Sequence, residues 1–177
     1  MQVQPLQHQD PAVAQQIHAV WAQAYAQEAR LLGLPDFPPL QRTVAELQAD
    51  GDAYLGVRVS GTLSSAMSSA MTSPLLGALA FGPDPEGGQL LVSVLVVAPA
   101  AQRQGVAQAL LKHLLGLAGP WPVAVATAQA NLPALRLYES LGFVAYRRGI
   151  VGPDALAIVK LRHANGAAPA PAQPATP

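Results

Sequence analysis

Residues 90–118, "LLVSVLVVAPAAQRQGVAQALLKHLLGLA", constrain the fold more than any other stretch of the chain. The run up to Val97 reads as a strand, and Pro99 stops it. A polar stretch follows, Gln102, Arg103, Gln104 and Gly105. Ala107, Leu110, Leu111, Leu114, Leu115 and Ala118 then fall on one helical face. "GPWP" ends that helix, and "VAVATA" reads as a short buried strand. A strand, a helix and a second strand in that order permit a parallel pair, because the helix supplies the crossover.

The segments around this unit set the rest of the architecture. "MQVQPLQ" is an edge-strand candidate. Asp10 before Pro11 starts a helix, since aspartate caps free amides and proline fits the first turn. Val13, Ile17, Val20, Trp21 and Ala24 carry that helix at the right spacing to about Leu32–Gly33. "LPDFPP" reads as a non-helical loop. Thr43 and Glu46 have capping-box spacing, so a short helix is expected from Thr43 to about Asp50. "AYLGVRVSG", "PLLGALAFG" and "QLLVSVLVVA" are three consecutive strands, which favours antiparallel hairpins. The serine-methionine segment 63–73 lies between the first two as a long hairpin tip or a flap. Asn131–Leu141 reads as a helix closed by Gly142, and "FVAYRRG" and "ALAIVKLR" as a final strand pair. The expected class is α/β, a mixed sheet with helices on its faces. Residues 1–163 form a single domain, and the alanine-proline tail 164–177 is a disordered extension by composition.

Composition narrows the function classes. Charged residues make up 11% of the chain, against roughly 25% in an average domain. Acidic and basic side chains balance at ten each, so neither a nucleic acid nor a membrane surface is an expected partner. The adjacent Arg147 and Arg148 read as a solvated strand edge. The chain holds no cysteine, which removes disulfides, thiolate metal sites and a cysteine nucleophile; no metal is expected. The N-terminus lacks the features of a secretion signal. The longest apolar run, Leu90–Ala101, is interrupted by Ser93 and Pro99 and is shorter than the roughly 18 residues of a membrane span. A cytoplasmic protein is the expectation.

The junction at Gln102–Ala107 has a chemistry of its own. The first turn of a helix leaves amides without internal partners, at the positive end of the helix dipole. Such amides, converging on a concavity, hold an anion. Close approach of a phosphate favours small residues, here Gly105 and Ala107, and Arg103 adds charge. The stretch is neither a Walker loop nor a dinucleotide fingerprint. By itself it also reads as an ordinary strand-to-helix turn with a glycine.

A second stretch, "NLPALRLYESLGF" at 131–143, sets Asn131, Ala134 and Tyr138 on one helical face. At these two junctions together the sequence resembles the GNAT superfamily of acyl-CoA-dependent N-acetyltransferases. Gln102, Gly105 and Ala107 match its Q/R-x-x-G-x-G/A motif. Asn131, Ala134, Leu137, Tyr138, Gly142 and Phe143 match N-x-x-A-x-x-L-Y-x-x-x-G-F. The motif resemblance covers about Leu90–Tyr146.

The resemblance implies a mostly antiparallel twisted sheet with a splayed parallel pair and helices on both faces. It implies acetyl-CoA as the donor. The loop amides of Arg103, Gln104, Gly105, Val106 and Ala107, with Gln102, would hold its pyrophosphate, and the strand edge near Leu95 and Val97 would pair with the pantetheine arm. Tyr138 stands where the family keeps the proton donor to the departing thiolate, and the plain alternative for it is a core tyrosine. Asn131 and Ala134 would hold the cofactor arm, or Asn131 is simply a helix cap.

Many relatives carry a glutamate on the central strand; "QLLVSVLVVA" has no carboxylate. Ser93, placed by alternation beside Leu91 and Leu95, would hold a water in a proton path. Glu28, Asp36 and His18 lie in the acceptor region but read as solvated surface, and no base is named. Trp21, Tyr25 and Phe37 are the candidate acceptor lining, Trp21 also sitting on its helix's apolar stripe. The acceptor is a small-molecule amine or a peptide N-terminus, and few acidic residues argue against a polyamine. Many members of the family pair through exposed strands, so the resemblance implies a homodimer. Two other readings stand beside the enzyme: a non-catalytic acyl-CoA-binding sensor, and an unrelated α/β scaffold.

Overall fold

A computed structural model describes residues 1–34, 37–59 and 73–164. Seven strands form one sheet: β1 (Val3–Leu6), β2 (Ala53–Arg58), β3 (Leu75–Pro83), β4 (Leu90–Val97), β5 (Val123–Ala128), β6 (Val144–Val151) and β7 (Leu156–His163). Four helices accompany them: α1 (Pro11–Leu32), α2 (Val44–Gln48), α3 (Val106–Leu117) and α4 (Leu132–Ser140). The strand order is β1-β2-β3-β4-β5-β7-β6, antiparallel everywhere except the β4–β5 pair. The expected mixed sheet with one parallel pair is therefore the observed one. The serine-methionine segment up to residue 72 and the tail from Asn165 lie outside the described residues.

Local chemistry explains the helix ends. The Asp10 carboxylate accepts from the amides of Ala12 and Val13 at 2.8 and 3.2 Å. Thr43 and Glu46 complete a reciprocal capping box on α2. Asn131 Oδ1 caps α4 by accepting from Ala134 N at 3.2 Å. One expectation needs correction: part of the proline-rich loop is helical, since Pro38–Gln41 form a single 3-10 turn. Proline is tolerated there because a first turn has no amide partner to lose.

Two apolar clusters hold helices to opposite faces. On one face Ile17, Val20 and Trp21 of α1 and Leu47 of α2 pack on Tyr54, Ala78, Ala80, Val94 and Val96. On the other, Leu110, Leu111 and Leu114 of α3 pack on Leu55, Val57, Leu79, Val92 and Val125. These three leucines are fully buried, each stabilising by roughly 1.5–3 kcal/mol. α3 lies close against β3 because Gly77 has no side chain: a Cβ there would stand 2.8 Å from Val106 Cγ1 and 2.9 Å from the Val96 carbonyl.

β4 changes face partway along. Ala80 pairs with Val94 while the next residue, Phe81, pairs with Val92, so Ser93 is an extra residue in a β-bulge. Before the bulge Leu90 and Val92 face α3; after it Leu95 and Val97 do, and Val94 and Val96 turn to α1. Strand alternation does not carry across a bulge. Ser93 therefore does not share a face with Leu95, contrary to the uniform pattern expected from sequence.

Candidate active site

The bulge coincides with a fork in the sheet. β4 and β5 are paired only over Leu90–Val123, Leu91–Ala124 and Val92–Val125. Beyond it β4 stays with β3 to Val97 and β5 stays with β7 to Ala128. The halves of the sheet diverge, leaving a cleft of about 1240 Å³, above the usual 300–1,000 Å³ of small-molecule sites. Its walls include Val94, Leu95 and Val97 of β4 and Ala126, Thr127 and Ala128 of β5. Facing strand edges in that gap have no partner in each other, so an amide chain can enter as a substitute strand.

One end of the cleft is the first turn of α3. Arg103 and Gly105 both hold left-handed φ, 62° and 82°, so the loop turns sharply, a backbone form whose successive amides make anion-binding concavities. Gly105 caps α3 without any side chain, and the first amides of the helix have no partner inside it. A Cβ on Gly105 would meet no atom within 4 Å; the glycine answers to backbone angle, not crowding. Arg30, Arg103 and Arg136 also line the cleft, all exposed. A helix head without a side-chain cap, guanidiniums lining the same cleft and a long gap between strands fit a phosphate-bearing thioester with an amide arm.

The other side of the cleft is made by α1 and α4. Tyr138 is buried, its ring centroid 5.7 Å from that of Phe143. Burial, reinforced by Glu28, raises its phenol well above the usual range, so it stays protonated. Tyr25 is raised in the same way, by burial first and then by Glu28 and Tyr138. Asn131 does two things: Oδ1 caps α4 and Nδ2 donates to Glu28 Oε1 at 3.0 Å. Gln27 and Gln102 exchange amide hydrogen bonds at 3.1 and 3.0 Å. One turn of α1 thus reaches both the loop ahead of α3 and the head of α4.

A sequence model described as the Acetyltransferase (GNAT) family matches residues 21–143. The chain belongs to the GNAT acetyltransferase family. UPF0157 protein YqkA of Bacillus subtilis (strain 168) is 30% identical over 139 residues, which are 78% of this chain and 36% of that protein. The chain thus spans about a third of the length of this curated relative. Among solved structures it is similar to the ribosomal-protein-S18-alanine N-acetyltransferase of Escherichia coli, at 16% identity and a TM-score of 0.67 over 94% of this chain and 95% of that one. It is likewise similar to YncA of Salmonella typhimurium with its cofactor acetyl-CoA, at 19% identity and a TM-score of 0.67 over 96% of each chain. These two likenesses establish the GNAT fold.

Within this GNAT domain the cleft gathers Leu95, Val97, Gln102, Arg103, Gly105, Val106, Ala107, Asn131, Ala134 and Tyr138, together with Tyr25, Phe37 and Ser93. Gln104 is not among its lining residues: its side chain donates to the Ala100 carbonyl at 2.8 Å. The Val106 side chain is buried in the core, leaving its amide as the group for the loop. Trp21 is not brought to the cleft either. It is buried, donates from Nε1 to the Pro39 carbonyl at 2.7 Å, and lies under the Arg42 guanidinium. It supports the site indirectly, its ring 5.0 Å from Tyr25, which is 5.8 Å from Phe37.

His18 is also turned away, donating from Nε2 to the Arg42 carbonyl at 2.9 Å. Asp36 lies outside the described residues. Glu28 is a correction: it is not solvated surface but a half-buried wall of the cleft. Its spacing of three from Tyr25 was the available signal. Ser93 Oγ donates to the Asp52 carboxylate, a contact across 41 residues for which the sequence offers no local sign.

Proposed function

We propose that this chain transfers an acetyl group from acetyl-CoA directly to a primary amine, both being bound together. The observation that carries the reading is the continuous cleft from the uncapped first turn of α3, along the free edge of β4, to the Tyr138 phenol. In this reading the amides of 103–107 and Arg103 hold the pyrophosphate, and Leu95–Val97 pair with the pantetheine arm. Backbone amides of β4 beyond the fork polarise the thioester carbonyl as it becomes tetrahedral. Tyr138 gives its proton to the departing thiolate. The acceptor enters from the side of Tyr25 and Phe37, as a small amine or a peptide N-terminus. The name of the S18-alanine relative supports the second kind only by likeness of fold.

Thiol release from acetyl-CoA, followed with phenethylamine, lysine, spermidine and an alanine-first tetrapeptide, tests the proposal. Amine-dependent thiol release with matching acetylated product is expected. β4 carries no carboxylate, which favours one competing reading, a non-catalytic acyl-CoA sensor. Tight acetyl-CoA binding with no turnover on any amine would support that sensor and reject the enzyme.

A further inference from the structure

The cleft contains a charge that the transfer steps above do not use. Among its described lining residues Glu28 is the sole carboxylate, in a cleft that three guanidiniums, Arg30, Arg103 and Arg136, also line. It is half-buried, its Oε1 is held by Asn131 Nδ2 at 3.0 Å, and Tyr25 stands one turn before it. Tyr138, across the gap on α4, is close enough for Glu28 to raise its phenol. Phe37, its ring 5.8 Å from that of Tyr25, and Leu31 add apolar lining to the same cleft. A half-buried carboxylate with one oxygen fixed and apolar rings beside it is a receptor for a cation carried on an apolar body.

We infer that Glu28 is the acceptor-side carboxylate: it binds the ammonium of a singly charged amine bearing an apolar group, and takes its proton. The inference rests on the transfer reading above. Glu28 Oε2 removes one proton from the bound ammonium, leaving a neutral amine. The amine nitrogen bonds to the thioester carbonyl carbon. As the C–S bond breaks, Tyr138 passes its phenolic proton to sulfur and regains one from the nitrogen of the new amide. Glu28 then releases its proton to water. Burial raises the Glu28 carboxyl above its ordinary value, while the Asn131 hydrogen bond opposes that shift; a raised carboxyl is the better proton acceptor near neutral pH. The acceptor class follows from charge. One carboxylate takes one ammonium, and the described lining of the cleft offers no second carboxylate for another.

The sign of the shift supplies a readout independent of turnover. A carboxyl whose folded pKa is raised favours folding below its unfolded pKa, and that contribution is lost as pH rises through the folded value. Glu28→Gln keeps an oxygen for Asn131 and removes the charge. It is expected to raise the melting temperature at pH 8, with the gain vanishing near pH 4.

The test compares wild type with Glu28→Gln on phenethylamine and spermidine, with acetyl-CoA affinity measured in parallel. Expected are an unchanged donor Kd and a kcat/KM on phenethylamine about 100-fold lower in the variant. The acid limb of the wild-type pH profile should move or disappear. Wild type should prefer phenethylamine to spermidine. Turnover by Glu28→Gln within threefold of wild type overturns the inference alone, as does a wild-type preference for spermidine. Absence of wild-type turnover on every amine, with donor bound, overturns the proposed function and this inference with it.

Discussion

Tyr138 and Glu28 differ in how much of their role a sequence reveals. Tyr138 belongs to a run with fixed spacing on one short helix, and its neighbours Asn131 and Ala134 lie on the same face. Local periodicity therefore brings the group together. Glu28 sits in a helix rich in alanine and glutamine, where a glutamate looks solvated. Its partner is 103 residues away in sequence, so only the folded chain reveals the contact. Trp21 fails in the opposite sense: a large aromatic near a pocket is also the residue a helix buries first. Tyr138→Phe is expected to lower kcat by about 10²-fold, the lower end of a general acid's contribution. The acetyl-CoA Kd should stay within about twofold, read by titration calorimetry. Equal kcat would remove the phenol from the chemistry.

The elements themselves were largely legible, because caps and periodicity are local properties. Asp10, Thr43 and Asn131 start three helices as their side chains require. The exception is β4. An alternating pattern cannot announce an extra residue, and Ser93 supplies one, which reverses the faces of all that follows. Nor can a sequence say where two strands cease to pair, since that depends on the twist of both halves. α3 shows how an element positions the site: Val106 at its head is buried against Gly77. Gly77→Ala is expected to cost about 1–3 kcal/mol, as overpacking does, because the Val96 carbonyl cannot move aside cheaply. By tilting the first turn of α3 it should also weaken acetyl-CoA binding. A thermal melt and a titration on one preparation check both. An unshifted melt would mean that β3 and α3 part without cost.

For the molecule as a whole, the cleft is a seam between two half-sheets. They are stitched at one end by three β4–β5 pairs and by Glu86 in the β3–β4 turn, which accepts from Arg147 and Lys160 at 2.9 Å. Beyond the fork, the hydrogen bond from Asn131 at the head of α4 to Glu28 of α1 crosses the gap in place of strand pairing. A ligand lying along the seam adds backbone pairing where β4 and β5 have none, so it should stabilise the fold. At 100 times its Kd, acetyl-CoA should contribute about 2.7 kcal/mol, a rise of about 5–10 °C in the melting temperature of a domain this size. Scanning calorimetry with and without donor reads it directly. No shift at saturating donor would mean that the seam is not its site.

The central claim is that the amides heading α3 and the free edge of β4 together receive the acyl donor. Crystallographic density for acetyl-CoA bound to this chain tests it most directly. The pyrophosphate should lie against the amides of residues 103–107, with the pantetheine arm alongside Leu95–Val97 and the thioester near Tyr138. Donor density anywhere else on the protein would contradict the account.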